Sequence, residues 1–218
     1  MTRIKVCGMT SVQDAMAAVE LGAQAIGLIF YQPSPRGVTP ETALAIVRAL
    51  PPFVTAVGVF VNERPAVVRE VVGRCGLTAL QFHGDEAPAY CAEFGTPVIK
   101  AFRVSAGWDP AALAPYQVSA YLLDTYAEGL YGGTGLAFPW EAAEAARRRG
   151  RVILAGGLAP ETVGAAIARV RPYAVDVCSG VEAAPGRKDL SRLRAFVEAV
   201  QAADRAAGPD PGPETAGR

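Results

Sequence analysis

The 218 residues include 21 lysines plus arginines and 21 aspartates plus glutamates, so the net charge is zero, and 51% of the residues are hydrophobic. That apolar fraction supports a sizeable core and fits one large domain. The charge balance excludes bulk attraction to nucleic acid or to an anionic membrane surface.

The first stretch, RIKVC (3–7), alternates polar and apolar residues and reads as a strand. Thr10-x-x-Gln13 then reads as a capping box. Val12, Ala15, Met16 and Val19 share one face of the helix that follows, and Gly22 stops it. A strand begins near Gln24 (AIGLIF), followed by the loop YQPSPRG (31–37) and a helix over 40–50. Next come a strand from Val54 (VTAVGVFV), a helix over 65–74, the strand ALQF after Thr78, the loop HGDE (83–86) and a helix over 86–94. The strand PVIKAF follows Thr96, a short helical segment covers 109–115, and AYLLD follows Ser119. After a glycine-rich loop, a helix over 139–149 ends in the basic run RRRGR, which reads as a solvated helix end complementing the dipole. The strand VILA, a helix over 160–170, the strand AVDVC and a helix over 189–204 complete the pattern. Leu190, Leu193, Val197 and Val200 form the apolar stripe of that last helix.

Several strands are nearly continuous apolar runs, as a parallel sheet covered on both faces requires. Eight strands alternating with eight helical segments in about 200 residues predict a single α/β domain, a (β/α)8 TIM barrel, over 1–204. A doubly wound open sheet is the alternative, but no G-x-G-x-x-G turn follows the first strand. Proline, glycine and charge dominate 205–218, which reads as a disordered tail.

Barrel enzymes build their sites where strands end and βα loops begin, and polar residues concentrate there. Cys7 ends the first strand and Asp124 the sixth. Arg36 lies in the loop after the second strand, and His83 opens the loop after the fourth. Gly133 and Gly135 follow the sixth strand, Gly156 and Gly157 the seventh, and Ser179 and Gly180 the eighth. Glycine lets backbone N–H groups approach an anion closely, so three such loops on adjacent strands predict a phosphate site. Cys7 leaves two readings open: a small buried hydrophobe, or a thiol activated by a cation or a helix N-terminus. Asp124 is either a loop-bracing carboxylate or a general acid. Arg36 reads as a surface arginine or the bidentate partner of a carboxylate ligand, and His83 as a packed loop residue or a ligand contact. Cys75, Cys91 and Cys178 have no acid–base partner and read as packing residues.

The four cysteines form no CxxC pair and the chain has one histidine, so no structural zinc site is expected. Neither a leader pattern nor an apolar run of about 18 residues is seen, and a cytoplasmic chain with free thiols is expected. These residues suggest a barrel that holds a phosphorylated small molecule between a thiol and a carboxylate and moves protons.

On these residues the chain resembles the phosphoribosylanthranilate isomerases of tryptophan biosynthesis. The match covers residues 3–200 and includes KVCGMT (5–10), SPRGV (34–38), LQFHGDE (80–86), LLDT (122–125), GGTGLAFPW (132–140), LAGGL (154–158) and SGVEAAPGRKD (179–189). The resemblance implies an Amadori rearrangement without cofactor or metal, in a monomer or homodimer. It implies that Asp124 protonates the ribose ring oxygen and that Cys7, as thiolate, removes the C2 proton. It further implies that Arg36 meets the anthranilate carboxylate, that His83 lies near substrate and that the glycine loops take the phosphate. Three positions depart from the family pattern: Cys178 for a frequent serine, Pro139 for aspartate and Thr162 for asparagine. The rivals are an indole-glycerol-phosphate synthase, which should be lysine-rich at its site, and a metal-dependent epimerase, which should show more histidines. A further rival is a non-catalytic phosphate-binding barrel.

Overall fold

The computed structural model describes residues 1–105, 107–124 and 140–208. Eight parallel strands close into a barrel in sequence order: β1 (Arg3–Val6), β2 (Ala25–Ile29), β3 (Thr55–Phe60), β4 (Ala79–Phe82), β5 (Val98–Arg103), β6 (Ala120–Asp124), β7 (Val152–Ala155) and β8 (Ala174–Val177). The closing pair aligns Lys5 with Asp176 and Val6 with Val177. The outer layer is α1 (Val12–Leu21), α2 (Pro40–Ala49), α3 (Pro65–Cys75), α4 (Pro88–Cys91), α5 (Trp140–Arg147), α6 (Val163–Val170) and α7 (Leu190–Ala207). A 3-10 turn, Pro110–Leu113, takes the helix position between β5 and β6. The (β/α)8 reading of the sequence is therefore correct.

Strand alternation divides the core. Ile99, Ala101, Leu122, Ile153 and Ala174 fill the barrel interior. Ile4, Val6, Leu28, Leu80, Phe82 and Leu154 face the helices. Outside β4, the Phe82 ring packs on Tyr90 at 5.0 Å and Phe94 at 5.1 Å between centroids. Burial of such a ring contributes about 1.5–3 kcal/mol, and here it also clamps the short helix α4 to the barrel.

Local expectations differ in three places. The N-cap of α1 is Ser11, whose hydroxyl accepts from the Asp14 N–H, and not Thr10. Thr10 instead donates its hydroxyl to the Gly186 carbonyl, because the returning β8 loop competes for it. Leu190 is 47% exposed, and Phe196 joins Leu193, Val197 and Val200 on the buried face of α7. That helix runs through Ala207, past the boundary read at 204. The helix expected over 86–94 is a single turn, since Pro88 starts it and it ends at Cys91. Residues 209–218 of the predicted tail lie outside the described residues.

The β8 loop also holds a small hairpin, β9 (Glu182–Ala184) with β10 (Arg187–Lys188). The hairpin folds back over the ends of β1 and β8 and delivers two charged side chains to the barrel mouth.

Candidate active site at the C-terminal mouth of the barrel

Cys7 continues β1 by one residue, and its N–H donates to the Val177 carbonyl at 2.8 Å. The β1/β8 register carries it opposite Cys178, whose thiol lies 3.9 Å from Glu182 Oε1. This corrects the reading of Cys178 as a packing residue without a partner. Below Cys7 on the same inward face, the buried Lys5 ammonium lies 2.9 Å from Asp176 Oδ1.

The four thiols of the chain differ according to their surroundings. Burial pushes Cys91 up to about 11 and also raises Cys75. Cys7 is just as buried, yet the Cys178 hydrogen bond, with Lys5 and Lys188 beside it, outweighs burial and holds its thiol well below the ordinary value. Cys178 is pushed the other way by its bond to Cys7 and by burial. The chemical consequence is one thiolate-forming sulfur and one S–H donor.

The backbone at Cys7 is fixed by Lys188. Its ammonium, fully buried, donates to the Cys7 carbonyl at 2.7 Å and the Cys178 carbonyl at 3.2 Å, and lies 3.1 Å from Glu182 Oε1. Glu182 also receives the guanidinium of Arg36, from Nε at 2.9 Å and Nη2 at 2.6 Å. Burial works against ionisation of Glu182, but the Arg36 and Lys188 contacts prevail and hold its carboxyl below the usual range. The Arg36 fork expected to meet a ligand is thus committed to a carboxylate of the chain itself, with Nη1 outside that pair.

Asp124 closes β6 at the other side of the mouth. Its Oδ2 lies 3.0 Å from His83 Nε2, and His83 Nδ1 lies 3.0 Å from Gln81 Nε2. Gln81 is buried in the barrel interior, and its Oε1 has no hydrogen-bond partner among the described residues. The loop that carries His83 is held from behind. Glu86 accepts from the N–H groups of Asn62 and Gly84 at 2.8 and 3.0 Å and pairs with the buried Lys100 at 2.9 Å. Such buried pairs are costly to break and keep a loop in one geometry.

The loops after β7 and β8 abut. A Cβ on Gly180 would stand 2.0 Å from the Leu158 carbonyl oxygen, so only glycine permits the approach. Gly156 and Gly157 have φ of 82° and 66°, a left-handed pair that turns the chain out of β7. Ser179 and Gly180 form a 3-10 turn directly after Cys178. Gly133 and Gly135 lie outside the described residues. Among the described residues no group of three or more His, Cys, Asp or Glu side chains could hold a metal ion. A cleft of about 470 Å³ lies at the opposite end of the barrel, lined by Met1, Arg3, Arg171 and Asp204. There Thr2 is tethered to Asp204 and no thiol is present. The mouth is the better candidate, since barrels carry chemistry at the C-terminal ends of their strands.

Sequence reasoning missed Lys5, Gln81, Asp176, Glu182 and Lys188. A signal existed for the first three. Each is a polar residue two positions before Cys7, His83 or Cys178 in an otherwise apolar strand, hence on the same inward face.

The closed barrel, with a thiol after β1 and a carboxylate ending β6 at its C-terminal face, defines a (β/α)8 barrel of the enzyme type. The family profile of N-(5'-phosphoribosyl)anthranilate (PRA) isomerase matches residues 4–199. The chain is 52% identical over 197 residues to the N-(5'-phosphoribosyl)anthranilate isomerase of Citrifermentans bemidjiense, over 90% of this chain and 96% of that protein. Among solved structures, phosphoribosyl anthranilate isomerase from Thermotoga maritima superposes with a TM-score of 0.84 at 43% identity, over 93% of this chain and 100% of that one. Another PRA isomerase structure, in complex with reduced 1-(o-carboxyphenylamino)-1-deoxyribulose 5-phosphate, superposes with a TM-score of 0.81 at 40% identity, over 93% of this chain and 100% of that one. The chain belongs to the N-(5'-phosphoribosyl)anthranilate isomerase family.

Proposed function

We propose that Cys7 and Asp124 carry out, as base and acid, the isomerisation that family membership assigns to this chain. That reaction is the Amadori rearrangement of N-(5'-phosphoribosyl)anthranilate in tryptophan biosynthesis. Asp124 protonates the ribose ring oxygen, and the C1–O bond breaks to give a Schiff base. The Cys7 thiolate then takes the C2 proton, and the electrons left behind form an enolamine. Proton transfer to carbon converts the enolamine to the ketone, and no covalent bond to the enzyme forms. The observation that carries this reading is the placement of Cys7 just after β1 and Asp124 at the end of β6 at the same barrel mouth, with Lys188 on the Cys7 carbonyl; the surroundings lower the Cys7 thiol, which favours its use as a base.

The remaining roles follow from charge. Arg36, oriented by Glu182, presents Nη1 to the anthranilate carboxylate, and His83 lies beside both Asp124 and the substrate. Gly156, Gly157, Ser179 and Gly180 offer backbone N–H groups to the phosphate, with Gly133 and Gly135 as further members of that site. The protein acts in the cytoplasm as a monomer or homodimer and uses no cofactor. No helix among the described residues is long and apolar enough to cross a membrane.

The test is the fluorescence decay of phosphoribosylanthranilate with purified protein. Cys7→Ala and Asp124→Asn should each lower kcat by about 10²–10⁴-fold while the circular dichroism spectrum is unchanged. Near-normal turnover in either variant removes that residue's assignment.

A further inference from the structure

We propose that Lys5 is a positioning residue that holds Cys7 as a thiolate, and that Asp176 competes with that thiolate for the Lys5 ammonium. The inference rests on Cys7 as the base and assigns the group that makes it one.

The geometry comes from alternation and register. Lys5 and Cys7 share the inward face of β1, and Lys5 aligns with Asp176 on the neighbouring β8. Lys5 and Asp176 are both buried, at 2% and 8% exposure. The ammonium has three donors; one goes to Asp176 Oδ1 at 2.9 Å, and the Cys7 thiol is the second acid whose charge it feels. Gly27 on β2 leaves the space in which the thiol and the ammonium meet. A Cβ there would stand 2.6 Å from Cys7 Sγ and 3.1 Å from Lys5 Nζ, so any side chain would come between them.

Of the other groups around Cys7, Lys188 and Arg36 share the single carboxylate of Glu182, and the surplus positive charge of that cluster also favours the thiolate. His83 is hydrogen-bonded to Asp124, and Cys178 is held as a neutral thiol. Lys5 is the buried cation that faces two acids at once, Asp176 and Cys7. In a low-dielectric interior one ammonium balances one negative charge well and two poorly. Asp176 shows the competition: burial, and after it the neighbouring Cys7, raise it to about 7 against the pull of Lys5. When Asp176 takes up a proton, the ammonium is left to the thiolate.

This makes the two members of one ion pair act on Cys7 with opposite sign. The readout is the ultraviolet thiolate absorbance of Cys7, taken as the difference from a Cys7→Ser background and titrated with pH. Lys5→Met should move the midpoint up by about 1–3 pH units, with a matching displacement of the kcat/KM profile and a loss in kcat larger than any change in KM. Asp176→Asn should move the midpoint down. Should Lys5→Met fail to fold, Asp176→Asn alone and the Lys5→Met/Asp176→Asn double variant decide, the double lying above the Asp176 single. A purely structural ion pair predicts a shared direction or no movement, and either result overturns the proposal. Should Cys7→Ala keep its turnover, the base assignment falls, while the thiolate titration still reports on Lys5.

Discussion

His83 and Asp124 are joined by a 3.0 Å hydrogen bond between Nε2 and Oδ2, and Gln81 reaches the other ring nitrogen at the same distance. With the Gln81 amide donating, Nδ1 accepts, Nε2 carries the proton, and Asp124 receives it as a carboxylate. Turning the amide over reverses every bond in the chain and leaves the proton on Asp124, the form a general acid needs. His83→Ala should therefore lower kcat by about 10–100-fold, the worth of about 1.5–3 kcal/mol for a hydrogen bond to a charged group. His83→Gln, whose amide can donate to or accept from Asp124, should recover part of it. Unchanged kcat in the alanine variant would show that Asp124 needs no such support.

Arg36 and Glu182 form the second pairing at the barrel mouth. Arg36→Ala should raise KM for phosphoribosylanthranilate about 10–100-fold with a smaller change in kcat. Arg36→Lys should not restore it, because an ammonium cannot hold the two-point contact with Glu182 that aims the guanidinium. Steady-state kinetics decides, and an unchanged KM in the alanine variant excludes Arg36 from carboxylate binding.

The same Glu182 gives the fold a pH dependence with a definite sign. Its carboxyl is held below its ordinary value in the folded state. The stability it contributes is thus fully present above the unfolded carboxylate pKa of about 4.3, and is lost as pH falls through the lower folded value. Glu182→Gln should flatten that acid segment of a Tm-against-pH curve and lower Tm at neutral pH. An acid limb identical to that of the unmodified protein would count against this account.

Gly180 and Gly157 separate steric from conformational roles in the loops after β7 and β8. Gly180→Ala drives a methyl into the Leu158 carbonyl and should cost about 1–3 kcal/mol in urea unfolding, with a raised KM as the β7 and β8 loops part. Gly157→Ala faces open space and should cost about 1–2 kcal/mol through its positive φ alone. Equal effects on KM in the two variants would show that loop contact is not what shapes the site.

The order of strands and helices was legible in the chain because short, nearly continuous apolar runs alternate with stretches of 3.6-residue period. The ends of those strands then marked Cys7, His83 and Asp124, since a polar residue closing an apolar run has to sit at the barrel rim, and the loop after β2 marked Arg36. Thr10 was misread as a cap because a helix start carries two adjacent hydroxyls, and the contact with Gly186, 176 residues away, decides between them.

Sequence by itself thus determined the barrel, which depends on the local alternation of strand and helix patterns. Only the tertiary structure decided what each site residue touches. Closure of β8 onto β1 sets Lys5 against Asp176 and Cys7 against Cys178 across more than 170 residues of chain. The hairpin after β8 brings Glu182 to Arg36 and Lys188 to the Cys7 carbonyl. These partners fix which thiol is acidic and which carboxylate is held, because the cost of a buried charge depends on what lies within a few ångströms in space and not on what lies beside it in the chain.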